Sequence, residues 1–127
     1  MSKYRTARAV AYLIALNALE YGKEREREIT QYRFSAATLR RLAERARIRE
    51  AFLIELEDEL RRLGWLLVWS SEIEFGVFRV TKLEGWPKLS SKRVNMYAEL
   101  FSEDDLEGLY KRLAGEAIDQ SEEDGDL

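Results

Sequence analysis

Between residues 33 and 49 the chain carries Arg33, Arg40, Arg41, Arg45, Arg47 and Arg49 against a single acid, Glu44. A guanidinium presents its N–H donors in a planar fork and keeps its charge at any physiological pH. A group of this kind therefore suits phosphate oxygens, which it can bind bidentately. The next ten residues, EAFLIELEDE, reverse the sign: they hold Glu50, Glu55, Glu57, Asp58 and Glu59 and no base. Carboxylates can accept from the amino group of cytosine, but beside phosphates they oppose the electrostatic attraction that supplies most non-specific affinity. A second basic group, Lys88, Lys92 and Arg93, follows later in the chain.

Other chemistries are poorly served. The 127 residues include no His and no Cys. Disulfides, thiolate zinc sites, Cys or His nucleophiles and an imidazole base are therefore absent. Catalysis would have to rest on carboxylates, Tyr, Lys or Ser, and these form no recognisable constellation. The reading is a non-enzyme with no cofactor and no metal. No apolar run reaches the length of a membrane span, and the apolar stretch Ala9 to Leu19 leads into GKERERE rather than a cleavage site. The chain is accordingly read as cytoplasmic, with no membrane partner.

The net charge of −3 conceals an asymmetry: residues 1–98 hold 19 Lys and Arg against 13 Asp and Glu, whereas residues 99–127 hold 2 against 11. The acidic end could fold back on the basic body, or could itself imitate nucleic-acid charge toward a partner.

Hydrophobic periodicity supplies the elements that must position these groups. A helix is expected from Thr6 to Tyr21, apolar nearly all round and therefore well buried, with Gly22 as its stop. KEREREI reads as a solvated connection and Ile29 to Phe34 as a short strand. Ser35 should cap a helix over AATLRRLAERA. A third helix begins at Arg49 or Glu50, buries Phe52, Leu53, Leu56, Leu60 and Leu63, and stops at Gly64. Trp65 to Ser70 and Phe75 to Lys82 form a hairpin. Its aromatics, with Trp86, are expected to pack rather than to stack on bases. Ser90 or Ser91 caps a helix carrying Val94, Tyr97 and Phe101. Ser102 and Asp105 form a capping pair for another, which carries Leu106, Leu109, Tyr110, Leu113 and Ile118. Residues 1–120 read as one domain and 121–127 as an acidic, frayed tail.

The order helix, strand, helix, turn, helix, hairpin, with the segment LAERARIREAFLIELEDELRRLGW (Leu42 to Trp65), resembles the winged-helix family of helix-turn-helix DNA-binding domains. The likeness spans roughly residues 6 to 82. It implies an α+β, mostly helical fold: a winged helix-turn-helix with additional C-terminal helices. It also implies a third helix in the major groove of double-stranded DNA and a hairpin acting as a wing. Arg47 stands where this family usually has Gly, and Arg49 where a small cap is common. Both changes add charge at the end of the helix that meets DNA.

On that implication Arg33, Arg40, Arg41 and Arg45 contact phosphates, with Arg47 and Arg49 at the groove edge. Ile54 and Glu55 are base-facing candidates, and Lys88, Lys92 and Arg93 form a second phosphate group. The protein is then a small, homodimeric transcriptional regulator. The acids allow an alternative. Glu57 with Arg61 and Asp58 with Arg62 have the favourable helical spacing for pairing. Glu50, Ala51, Ile54, Glu55 and Asp58 would instead make a protein-contact face, joined by Leu106, Leu109, Tyr110 and Leu113. That is the pattern of a complex subunit, or of a mobile-element-encoded inhibitor of a host nucleic-acid machine. The wing loop, Ser70 to Glu74, has two acids and no base, which suits DNA poorly.

Overall fold

A computed structural model describes residues 4–69 and 73–124, with side chains to residue 117. Packing groups the chain into two compact units, Met1–Trp86 and Pro87–Leu127.

The first unit is α+β. It runs α1 (Ala7–Arg25), β1 (Gln31–Ser35), α2 (Ala36–Ala43), α3 (Glu50–Arg62), β2 (Trp65–Trp69), β3 (Glu74–Arg79) and a 3-10 helix, Val80–Gly85. The strands form one antiparallel sheet in the order β1-β3-β2, with Phe34 opposite Phe75 and Trp65 opposite Arg79. Alternate residues of β2 and β3 turn inward, so Trp65, Leu67, Phe75 and Val77 join Phe34 under the helices. Phe34 and Phe75 stack at 5.7 Å. The helical stripe of α3, Phe52, Leu53, Leu56 and Leu60, meets Val10, Ala11 and Ile14 of α1 and Leu39 and Ala43 of α2 in one continuous core. Small residues at positions 7, 11 and 18 let α1 lie close against α3.

Two expectations about α1 need correction. Only Ala7, Val10, Ala11, Ile14 and Ala18 are buried, while Leu16 and Leu19 are 50% and 64% exposed. An apolar helix is therefore covered along one side alone. Nor does Gly22 stop it: the helix continues to Arg25, and Glu26 turns left-handed at φ 54°. The end is closed by the Arg27 N–H donating to the Gly22 carbonyl at 3.0 Å. Gly22 serves that close approach, because a Cβ there would lie 2.8 Å from the Arg27 oxygen.

Ser35 caps α2 as expected, accepting from the Thr38 N–H at 3.2 Å. The helix ends at Ala43, three residues before the end of AATLRRLAERA, because Glu44 adopts φ 53° and its N–H folds back to Arg40 and Arg41. Gly64, at φ +85°, ends α3 as expected. The strand after the hairpin stops at Arg79 rather than Lys82, since the Val80 N–H turns to the Gly64 carbonyl at 2.9 Å. Tyr32 ties β1 to α1 by donating its hydroxyl hydrogen to the Ile14 carbonyl. Burial pushes this phenol up to about 12, against a smaller opposing effect of Asn17.

The second unit contains α4 (Ser91–Leu100) and α5 (Glu103–Asp124). Ser90 caps α4 through the Arg93 N–H at 3.5 Å. Ser102 and Asp105 form the reciprocal cap expected of them: the Ser102 N–H donates to Asp105 at 3.1 Å and the Asp105 N–H to the Ser102 hydroxyl at 3.2 Å. The bonds from Ser102, backbone first and hydroxyl second, hold the Asp105 carboxyl below its ordinary value. Among the described side chains of this unit none is buried. Of the expected tail, residues 125–127 lie outside the described residues, as does the side chain of Ile118. Among the described residues, no helix is long and apolar enough to cross a membrane.

Candidate nucleic-acid interface

The arginines of residues 33–49 separate into three kinds. Arg40 and Arg41 occupy the last turn of α2, and Arg47 and Arg49 the turn that leads into α3. All four are exposed and make no ion pair among the described residues. Arg40 and Arg41 sit at a helix C-terminus, where the dipole favours them. Arg47 and Arg49 sit at an N-terminus, where it does not. Arg49 is the N-cap of α3 and supplies no side-chain hydrogen bond to it. The Arg49 carbonyl accepts from the Phe52 and Leu53 N–H groups, at 3.0 and 3.1 Å. The Phe52 and Leu53 N–H groups are thus taken by the backbone, and the uncapped first turn lies beside two guanidiniums that make no ion pair among the described residues. That combination of dipole and charge suits an anion.

Arg45 is different. Its guanidinium lies 5.1 Å from the Tyr4 ring centre and 4.4 Å from that of Phe52. It also donates to the Arg5 carbonyl at 3.1 Å. These contacts tie the N-terminal segment to the α2–α3 turn and leave Arg45 half-buried. Arg5, which the sequence pattern did not single out, completes the clasp. It donates to the Leu42 carbonyl at 2.8 Å and lies 3.5 Å from Glu44. Glu44, the one acid in the basic stretch, is therefore engaged with Arg5 rather than with the four exposed arginines. Tyr4, Arg45, Ala46, Arg47 and Arg49 line a small hollow of about 250 Å³ at this corner.

Arg33 projects from β1, exposed, and lies 3.9 Å from Glu74. Ser70, Ser71 and Glu72 of the expected wing loop lie outside the described residues. Lys88, Lys92 and Arg93 belong to the second unit and are exposed.

The acids of α3 resolve into pairs. Arg61 takes Glu57 at 2.9 Å, as the spacing implied, and also Asp58 at 3.3 Å. Arg62 goes to Glu59 at 3.7 Å rather than to Asp58, because the three-residue spacing is also within reach on a helix. Glu50 lies in the first turn, where the dipole favours a carboxylate. Glu55 and Asp58 line a cleft with Thr6, Ala7 and Arg8 of the α1 end. This places Glu55 toward α1 rather than squarely outward. Ile54 stays 53% exposed, with Ala51 exposed beside it.

Of the aromatics, Trp65 and Phe75 are core residues and Phe78 packs on Trp86 at 5.2 Å. Neither Trp65 nor Phe75 has a face available to a base. On α5, Leu106, Tyr110 and Leu113 are exposed and Leu109 is half-buried. Comparison with protein-family models, with curated proteins and with solved structures finds no match in any of the three.

Proposed function

We propose that the first unit is a winged helix-turn-helix that binds double-stranded DNA through the N-terminal end of α3, as a small transcriptional regulator does. One observation carries the reading. Arg40 and Arg41 at the end of α2, and Arg47 and Arg49 at a helix start that has no side-chain cap, make no ion pair among the described residues, while every acid of α3's second half is matched to Arg61 or Arg62. The order of elements and the β1-β3-β2 sheet are those such a domain requires. On this reading Ile54 and Ala51 approach the base edges and Arg40 and Arg41 take the flanking backbone.

Fluorescence anisotropy with a labelled mixed-sequence duplex tests it. Affinity should fall steeply with salt, with four phosphate contacts giving a log–log slope of about −3 to −4. Failure to bind at low salt, by the full chain and by a form ending at Gln120, sinks the proposal.

A homodimer belongs to the same reading. The second unit exposes Val94, Met96, Leu100, Phe101, Leu106, Tyr110 and Leu113 along two helices with no buried described side chain. A unit so small rarely holds itself together without a partner. A monomer mass that does not change with concentration in sedimentation would remove this part.

A second reading has its own observation. The outward face Ala51 and Ile54, rimmed by Glu50 and Glu55 that make no ion pair among the described residues, also suits a protein partner. The chain would then be a complex subunit or an inhibitor of a nucleic-acid machine. Ile54→Arg separates the two: it should leave or raise duplex affinity if the face lies near phosphates, and abolish capture of a protein partner.

A further inference from the structure

The exposed side of α1 does not face open solvent along its whole length. Its C-terminal half, the turn that follows and the start of β2 enclose a half-open cavity of about 610 Å³. This lies within the range typical of small-molecule sites, roughly 300–1,000 Å³. Leu16 and Leu19 form one wall, with Tyr12 beside them, while Ile29, Leu63 and Trp65 line the rest of the apolar surface. Gly22 contributes to the lining and permits the tight return of the chain at Arg27, and so shapes the mouth.

The polar groups around this apolar surface are mostly of one sign. Lys23, Arg27 and Arg79 line the cavity against Glu28 alone. Lys23 has only a long contact to Glu20, at 3.9 Å, and Arg27 and Arg79 make no ion pair among the described residues. Arg79 is the decisive group. Its guanidinium lies 5.4 Å from the Trp65 ring centre, and its Nε is buried with no hydrogen-bond partner among the described residues. The Nε is enclosed by protein, so an oxyanion in the cavity would meet the guanidinium through its terminal amino groups, which have no carboxylate partner among the described residues.

We infer that this cavity is a binding site for a small amphipathic carboxylate, with its hydrocarbon part against Leu16, Leu19 and Trp65 and its carboxylate on Arg79. A neutral apolar molecule would fill the same volume but leave Arg79 as it is. A carboxylate accepts from the guanidinium fork and balances the cationic excess of the lining. The site draws on none of the four exposed arginines around α3, and it stands or falls independently of DNA binding.

Titration calorimetry of the full chain with decanoate, and separately with decanol, tests the assignment. Decanoate should bind saturably at one per chain and at least about tenfold tighter than decanol. Arg79→Met should erase that preference. Leu16→Glu, at a half-exposed position where folding tolerates the change, should abolish decanoate binding while leaving the thermal melt unchanged, and it decides the matter if the Arg79 variant fails to fold. Absence of saturable decanoate binding overturns the proposal, as does equal binding of decanoate and decanol or indifference to both substitutions. Conversion of a dimer to a monomer by Leu16→Glu, with no decanoate bound by the parent, would also overturn it, because a second copy would then cover the groove.

Discussion

The two ends of α3 use the same residue for opposite purposes. At its C-terminal end Arg61 and Arg62 each lie within 3.7 Å of an acid one turn earlier, and the local charge cancels. At its N-terminal end Arg47 and Arg49 make no ion pair among the described residues, and the helix dipole adds to their charge instead of offsetting it. An arginine count alone would treat these groups as equivalent. What separates them is the position of the neighbouring carboxylates and the direction of the helix. Only the uncompensated group retains a field that an anion would meet. Arg45 is a third case, in which the guanidinium has become part of the packing.

Removing the uncompensated arginines should have the largest effect. Changing Arg40, Arg41, Arg47 and Arg49 together to Ala should lower duplex affinity by at least about a hundredfold at roughly 0.1 M salt. Fluorescence anisotropy reads this directly, and circular dichroism should report unaltered helix content. An effect of only a few-fold would mean that these side chains are ordinary surface. Arg45→Ala should act on stability instead. Loss of two aromatic contacts and of the bond to the Arg5 carbonyl should cost about 2 kcal/mol, visible as a lower urea midpoint. A stable Arg45 variant with impaired DNA binding would return Arg45 to the phosphate-contacting group.

Alkaline pH separates charge from packing, because arginines keep their charge over a range in which the neutral Tyr32 phenol becomes a phenolate. The folded Tyr32 phenol sits at about 12 against 10.0 for the unfolded group. Its contribution to stability is therefore complete below 10 and is lost as pH rises from 10 through 12. A pH scan followed by near-ultraviolet dichroism should show tertiary structure loosening across that window, and Tyr32→Phe should remove that transition. The smallest effect belongs to the paired end of α3. Changing Arg61 and Arg62 to Ala should shift stability by no more than about 1 kcal/mol, because such exposed pairs contribute only tenths each.

Much of the first unit was legible in the residues. The buried stripe of α3, the Ser35 cap, the Gly64 stop and the hairpin pairing follow from period and turn chemistry, which depend on neighbours close in the chain. The Ser102 and Asp105 cap was legible for the same reason. The rest depends on features that no local pattern marks. Glu26 and Glu44 adopt positive φ in positions where glycine is the usual signal, so the ends of α1 and α2 carried no recognisable mark. The exposed side of α1 could not be foreseen because its residues are as apolar as the buried ones. The division of the arginines was hidden as well. Arg5 lies 37 residues from Leu42, whose carbonyl it reaches, and nothing in a linear pattern links Glu44 to it.

On the proposed reading, uncompensated charge, and not arginine content, makes the entrance of α3 a phosphate surface. Duplex affinity measured across a salt series for Arg47→Ala/Arg49→Ala and for Arg61→Ala/Arg62→Ala tests it most directly. The first pair should flatten the log–log slope by about 2, and the second should leave the slope within error of the parent. Equal changes in the two pairs, or a parent protein that does not bind the duplex at low salt, would contradict the account.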